Sequence, residues 1–600
     1  MTSASETRTP LRPLARILGA RSKGENPDWI ERENIRQRHE VMRDKAREMA
    51  EGRLIVLGLF FLAGFALIGA QMTLLAVSEP VEPRTTATLT KIVAQRADIV
   101  DRQGRVLATN FDTHSLYAHP QDLIDPAGTV AKLAEIFPDL DADRLLKDFT
   151  GDRKFLWVRR KISPEQKQAV FDIGDPGLLF GPREMRLYPN GAIMAHVLGG
   201  ASFGKEGVNS AEVIGTAGVE KHFDDFLRDP ANDGAPLELS LDLSVQAAAE
   251  RVLEGGMKLL NAKGAASVLM DVHTGEVISL VSLPDFDPNQ RPPVPTGDRG
   301  DSPLFNRALQ GVYELGSAFK IFTAAQAMEL GLANPTTDVD TQGPLRWGKF
   351  RIGEFQNKNY GPTLTLSEVI EKSSNVGTAR LAQQIGNVRQ KEFMGALGFL
   401  EPTPLEMVEA NGAKPLFPSN WSELSTMTIS YGHGISTSPV HLAAGYASLL
   451  NGGRKVEPTL LKQGRARLGD QIVSPETSAA ARAMLRRVVT EGTASFGDVA
   501  GYAVGGKTGT ADKPRPNGGY YDDRTITTFA SVFPAHDPKY VLVVTLDEPV
   551  ETSGTEPRRS AGWTAVPVAA ELIRRTAPLL GLRPEIEPAR LEGITLTSSE

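Results

Sequence analysis

Ser317 stands three residues before Lys320, in Tyr313-Glu314-Leu315-Gly316-Ser317-Ala318-Phe319-Lys320. A serine hydroxyl is a poor nucleophile until a neighbour takes its proton. A lysine held in a dry cleft can lose its charge and do so. The ten residues that follow, Ile321-Phe322-Thr323-Ala324-Ala325-Gln326-Ala327-Met328-Glu329-Leu330, are rich in helix formers. If Ser317 opens that helix, Lys320 lies one turn on and shares its face. A plain helix N-cap explains Ser317 equally well. Two later clusters bear on the choice. Ser373-Ser374-Asn375 lies between an amphipathic segment and the start of another helix, and Lys507-Thr508-Gly509-Thr510 follows Gly505-Gly506. Taken singly, these read as helix caps and as a strand end with a turn.

The elements that must position these residues read as one α/β unit over residues 236–580. Residues 237–241 alternate as a strand does, and 244–260 have helical spacing. Residues 265–271 and 276–281 read as strands joined at His273-Thr274-Gly275. Helical stretches follow at 321–330, 366–370, 376–385 and 439–450. Strands return at 527–533 and 540–546, and a helix over 565–579 closes the unit. Strands at both ends with helices between predict a single sheet whose first and last strands meet.

Ahead of this unit, residues 78–235 read as a mixed, loop-rich module. Residues 99–108 predict strand, turn, strand, with Gly104 at the turn. Residues 125–149 read as largely helical, with Asp125 as cap and Pro126 in the first turn. Gly199, Gly200, Gly204, Gly207, Gly215 and Gly218 argue for tight turns. Asp229-Pro230-Ala231-Asn232-Asp233-Gly234-Ala235-Pro236 marks a domain boundary.

Residues 54–77 carry no charge. As a helix they reach about 36 Å, enough to cross a bilayer. A cleaved signal peptide would have a shorter apolar region and would not follow a polar tail of about fifty residues. Arg38, Arg43, Lys45, Arg47 and Arg53 precede the span, and only Arg84 and Lys91 follow soon after. That bias places the N-terminus in the cytoplasm and the rest outside; in a bacterium that means an inner-membrane anchor with the rest in the periplasm or its equivalent. Residues 1–53 form a polar tail, either expendable or a docking segment. Its first part, interrupted by Pro10, Pro13 and Pro27, reads as structureless, and 28–53 as a charged helix. Residues 581–600 read as a C-terminal tail.

The 600 residues carry a net charge of -7 with both signs spread along the chain, so nothing points to nucleic acid. The absence of cysteine excludes disulfides, thiolate zinc sites and cysteine nucleophiles. The nine histidines show no ligand spacing, and residues 199–207 lack the lysine of a phosphate loop, so no metal or cofactor is expected.

Taken together, Ser317-x-x-Lys320, Ser373-x-Asn375 about 56 residues on, and Lys507-Thr508-Gly509 about 130 residues later resemble the ordered set of the penicillin-binding transpeptidase family. Arg96-Ala97-Asp98-Ile99-Val100-Asp101-Arg102-Gln103-Gly104 is similar to the early motif of class B members, with Ala97 at a usual glycine. Arg186-Leu187-Tyr188-Pro189, Ala195-His196 and Gly215-Thr216-Ala217-Gly218-Val219-Glu220 are similar to the remaining pedestal motifs. Leu315 replaces a common proline and Ala318 a common threonine. Lys507-Thr508-Gly509-Thr510-Ala511-Asp512-Lys513, Gly519-Tyr520 and Tyr431-Gly432-His433-Gly434-Ile435 look more like the septal, cell-division type than its elongation counterpart.

The resemblance implies a single membrane helix, an elongated α+β pedestal, and a mixed α/β catalytic domain of the serine β-lactamase kind, with an antiparallel sheet flanked by helices. It implies a peptidoglycan stem peptide ending in D-Ala-D-Ala as donor and β-lactams as inhibitors. Ser317 would be the nucleophile and Lys320 its base. Ser373 would relay a proton, and Asn375 would hold Lys320 and a substrate amide. Lys507, Thr508, Gly509 and Thr510 would form the substrate strand, with the N–H groups of Ser317 and Thr510 as oxyanion hole. An FtsW-like lipid-linked glycan polymerase and other division proteins are the implied partners. A D,D-carboxypeptidase or β-lactamase on the same fold, or a β-lactam sensor or scaffold, remain as alternatives. The membrane span and pedestal disfavour a free β-lactamase.

Overall fold

The architecture is that of a computed structural model, which describes residues 12–77, 96–206, 211–294, 296–297, 299–515 and 518–585. Its centre is a five-stranded antiparallel sheet. In spatial order the strands are Gly505–Pro514, Tyr520–Phe533, Tyr540–Asp547, Gly264–Asp271 and Val277–Leu283. The early pair meets the late trio where Gly264–Asp271 runs against Tyr540–Asp547, in register from Tyr540 opposite Asp271 to Asp547 opposite Gly264. The first and last strands of the unit therefore do join, with Gly505–Pro514 as an edge strand.

Every residue of Val277–Leu283 is buried, and all but the last of Gly264–Asp271. Both faces of these strands are covered, which is why they read as continuous apolar runs rather than alternating ones. Helices Leu243–Leu259 and Ala565–Thr576 pack on each other and on the sheet. Pro439–Leu450 and Pro475–Thr490 form another packed pair against it, and Pro475–Thr490 also contacts Lys320–Glu329. Eight of the ten residues of Lys320–Glu329 are buried, Lys320 among them. A helix enclosed on all sides is a rigid place to mount a reactive side chain.

The pedestal joins strands Ile99–Val100, Val106–Ala118, Leu156–Ile162 and Leu178–Leu187 into another sheet. The expected helical stretch is two helices, Pro126–Ile136 and Ala142–Phe149. Pro138 separates them, because it biases Phe137 away from helical angles. Asp125 accepts from the Gly128 N–H at 3.0 Å and Asp141 from the Arg144 N–H at 3.0 Å, one cap per helix. The glycine-rich stretch, expected to hold tight turns rather than long elements, holds two short strands, Gly200–Glu206 and Ala211–Ala217, paired antiparallel.

Two further expectations change. The strand expected over 237–241 is only Leu237–Glu238, and it pairs in parallel with Ile99–Val100 of the pedestal. Ile99 and Leu237 are both buried there, so the linker's apolar residues are spent on joining the two modules. The structureless beginning is contradicted over Arg12–Ser22, which is helical. Pro13 lies in the first turn, where a missing N–H costs nothing. Residues 1–11, the flanking Arg84 and Lys91, and the tail from 586 lie outside the described residues.

Asp28–Val77 is one helix of 50 residues. Its part Glu51–Thr73 has a mean hydropathy of 2.3 and none of it is buried. An apolar surface of that length is stable in a bilayer and not in water.

Candidate active site

The serine is carried by a single tight turn, Gly316–Phe319, that leads directly into Lys320–Glu329. Ser317 therefore does not open the α-helix itself; its carbonyl accepts the Lys320 N–H, in 3-10 geometry. The turn is fixed from several sides. The buried Tyr446 hydroxyl donates to the Ala318 carbonyl at 2.7 Å. Phe319, Phe322 and Phe399 pack as an aromatic cluster, with Phe399 centred 5.0 Å from each of the other two. Glycine is required at two points. Gly316 has φ +56°, and a Cβ on Gly509 would lie 2.1 Å from the Leu315 carbonyl oxygen. The strand Gly505–Pro514 thus runs backbone to backbone along the serine turn, and the N–H groups of Ser317 and Thr510 belong to adjoining segments.

Ser373 joins the other two clusters. Its hydroxyl accepts from Lys320 Nζ at 3.1 Å and from Lys507 Nζ at 2.9 Å, and its carbonyl accepts from Lys320 Nζ at 2.5 Å. Ser373 has φ +63°, a left-handed conformation that a serine adopts only under constraint. Holding it there aims both oxygens at the lysines. Lys507 also donates to the Thr508 carbonyl at 3.2 Å. Both lysines are fully buried. Burial, then the charge of Lys507, pushes Lys320 well below its ordinary value, against a smaller upward pull from Glu354. Burial alone pushes Lys507 down to about 7. One of the two is thereby able to stay neutral near neutral pH and accept a proton.

The structure brings Ser317, Lys320, Ser373 and the Lys507-Thr508-Gly509-Thr510 strand to one place. Asn375 is turned differently from expectation. Its amide donates to the Gly353 carbonyl at 3.0 Å and its N–H to Glu354 at 2.7 Å, and Lys320 is instead held by Ser373. Helix Asn375–Ile385 begins at this residue, with the Ser374 side chain as its N-cap accepting from the Gly377 N–H. Thr508 exchanges a hydrogen bond with Thr493 at 2.8 Å, and the Thr510 hydroxyl accepts from the Ala561 N–H at 3.0 Å.

Glu354 escaped the motif reading. It accepts from the Ser374 hydroxyl at 2.5 Å, the Asn375 N–H at 2.7 Å and the Val376 N–H at 3.3 Å, so a carboxylate completes the helix start beside Ser373. No local pattern marks it, since it lies about twenty residues before the helix that it caps. Glu314, three residues before Ser317, accepts from the Gly434 N–H at 2.8 Å, lies 3.0 Å from His433 Nδ1 and 3.2 Å from the Tyr520 hydroxyl. It ties the serine segment to the Tyr431–Ile435 loop and to the far end of the hairpin that carries Lys507. Among the described residues, no three histidine, aspartate or glutamate side chains gather as a metal ion requires.

Comparison with known proteins agrees with this geometry. The penicillin binding protein transpeptidase domain family matches residues 265–573, and the penicillin-binding protein dimerisation domain family matches residues 91–232. The chain is 35% identical to a probable peptidoglycan D,D-transpeptidase FtsI of Caulobacter vibrioides, over 82% of each. It is 29% identical to the stage V sporulation protein D of Bacillus subtilis, over 82% of this chain and 79% of the relative. The crystal structure of penicillin binding protein 3 of Mycobacterium tuberculosis, complexed with aztreonam, superposes with a TM-score of 0.62 at 24% identity, covering 84% of this chain and 98% of that one. That likeness shows the shared fold. With the catalytic match spanning the serine turn, Ser373 and the Lys507 strand, the chain belongs to the class B penicillin-binding proteins, in which a dimerisation domain precedes a transpeptidase domain.

Proposed function

We propose that this chain is a serine D,D-transpeptidase that cross-links peptidoglycan stem peptides. One observation carries the reading: a single hydroxyl, Ser373 Oγ, bridges two buried lysines beside the serine turn. Neutral Lys320 takes the Ser317 proton as Oγ attacks the penultimate D-alanine carbonyl. The N–H groups of Ser317 and Thr510 hold the oxyanion. Ser373 passes a proton to the departing amine, the C–N bond breaks, and D-alanine leaves. An amine of a second stem peptide then attacks the ester, forming the new peptide bond and returning the proton to Ser317. Lys507, with Thr508, Gly509 and Thr510, receives the terminal carboxylate, which favours the charged form of Lys507 on binding. Asn375 serves by fixing the Ser373 turn through Gly353 and Glu354.

The partition that goes with this role is a cytoplasmic tail over 1–53, a membrane helix over 54–77, a pedestal over 78–235, a catalytic domain over 236–580 and a tail over 581–600. The catalytic domain then stands in the periplasm, at the division septum, with an FtsW-like glycan polymerase as partner. Similarity to an FtsI of Caulobacter vibrioides supports the septal role, and a relative of this fold solved with aztreonam supports inhibition by β-lactams.

The test is the fate of the acyl-enzyme. A stable penicillin adduct, together with transfer of a D-Ala-D-Ala donor to an added amine, is expected. Release of the donor acyl group to water alone, whatever the amine concentration, would make the chain a carboxypeptidase.

A further inference from the structure

A two-stranded hairpin made of Leu345–Trp347 and Phe350–Ile352 projects beside the Ser373 turn. Its inner pair, Leu345 and Ile352, is buried against Val376, Ala379 and Met427. Cross-strand register sets Arg346 opposite Arg351 and Trp347 opposite Phe350. Side chains alternate along a strand, so Trp347 and Phe350 continue the Leu345–Ile352 face past the point where it is covered. They are 38% and 49% exposed. Arg346 and Arg351 share the opposite face, and both are exposed. Like charges directly opposite each other destabilise a hairpin. Lys349, in the turn, stands 5.5 Å from the Phe350 ring centroid, and exposed Phe355 and Lys358 follow. Among the described residues no carboxylate pairs with Arg346, Lys349, Arg351 or Lys358. The base of the hairpin is part of the site: the Gly353 carbonyl holds the Asn375 amide, and Glu354 holds Ser374 and the Asn375 N–H.

We propose that this hairpin docks the peptidoglycan polymer, a chain of sugar rings bearing carboxylate-carrying peptides. The apolar faces of sugar rings stack on Trp347 and Phe350, and the peptide carboxylates engage Arg346, Lys349 and Arg351. Two features select this occupant. Four unpaired cations call for an anionic partner, and the aromatic pair calls for one with flat C–H faces. An acidic protein segment meets only the first, and an anionic lipid surface, which can meet both, has no reason to meet them at the site, where the base of the hairpin holds Ser374 and Asn375. The hydrogen bonds at Gly353 and Glu354 then place the docked strand in fixed relation to Ser373. The inference rests on the peptidoglycan reading above and extends it to a site outside the catalytic cleft.

The experiment uses the full-length chain in detergent and purified, insoluble sacculi as probe. Co-sedimentation is measured for the wild type, for W347A with F350A, and for R346Q with R351Q. The arginine pair removes no buried group and keeps the fold. Each double variant is expected to bind sacculi about tenfold more weakly, while its rate of acylation by a fluorescent penicillin is unchanged. Any of three results overturns the proposal. One is variants that sediment as the wild type does. Another is variants whose acylation falls in parallel with binding, because the hairpin would then only brace Glu354. Loss of binding to anionic phospholipid vesicles with sacculus binding intact also overturns it, in favour of a lipid surface. A wild-type chain that takes no penicillin label contradicts the proposed reaction instead, and the sedimentation arm still decides this site.

Discussion

Arg96, Arg186 and Glu220 in the pedestal and Lys320 and Lys507 in the catalytic unit are buried to a similar degree, none more than 7% exposed. The pedestal pairs its charges. Arg96 and Arg186 each meet Glu220 at 2.7 Å, and Arg96 also meets Asp224 at 2.7 Å. The catalytic unit gives its two ammonium groups only hydroxyl and carbonyl oxygens. A charge paired in the interior stays charged and fixes geometry, and removing one partner strands the other. A charge left unpaired is held loosely as a proton, and that proton can move. The difference separates the region that holds shape from the region that does chemistry.

Three substitutions would break or sharpen this contrast. The largest effect is expected at Lys320. Lys320→Met should lower the second-order rate of penicillin acylation by about 10³-fold or more, with the thermal midpoint unchanged or raised, since a fully buried lysine without a carboxylate partner gives way to an apolar side chain of similar length. Stopped-flow labelling and calorimetry check the two halves. In the pedestal the pattern should invert. Glu220→Ala should cost about 3–5 kcal/mol in denaturant unfolding, because the buried Arg186 loses its carboxylate and the buried Arg96 loses one of its two. The acylation rate of the protein that remains folded should stay near that of the wild type.

The smallest expected effect is a displacement along the pH axis. Lys507 contributes to the lowering of Lys320 by repulsion. Lys507→Gln removes it, so Lys320 keeps its proton to higher pH, and the acid limb of whatever acylation survives should move upward. The linked stability effect has a definite sign. An unfolded lysine binds its proton up to about 10.5, whereas folded Lys507 binds it only below about 7. Stability should therefore rise with pH between those values, and the rise should be shallower in Lys507→Gln. An acid limb that does not move would mean that the two lysines do not sense each other.

The sequence shows which residues gather at the site more readily than how they are held. Ser317, Lys320, Ser373 and Lys507 are legible because their spacing recurs as a set, and the closure of the sheet is legible in its apolar strands. Asn375 is legible as a member of the set, but its hold on Gly353 and Glu354 is not, because both lie about twenty residues away along the chain. Glu354 is invisible because its partners lie across a loop. Leu156–Ile162 carries Arg159, Arg160 and Lys161 in a row, which hides its alternation. Leu237 looks like the opening of the catalytic sheet and serves the pedestal, because nothing local says which neighbour an apolar pair will meet.

The place where a β-lactam attaches tests Ser317 as the nucleophile most directly. The full-length chain, saturated with benzylpenicillin and digested, should carry one adduct, on the peptide containing Ser317, and Ser317→Ala should carry none. An adduct on another serine, Ser373 included, or an unchanged adduct in Ser317→Ala, would contradict it.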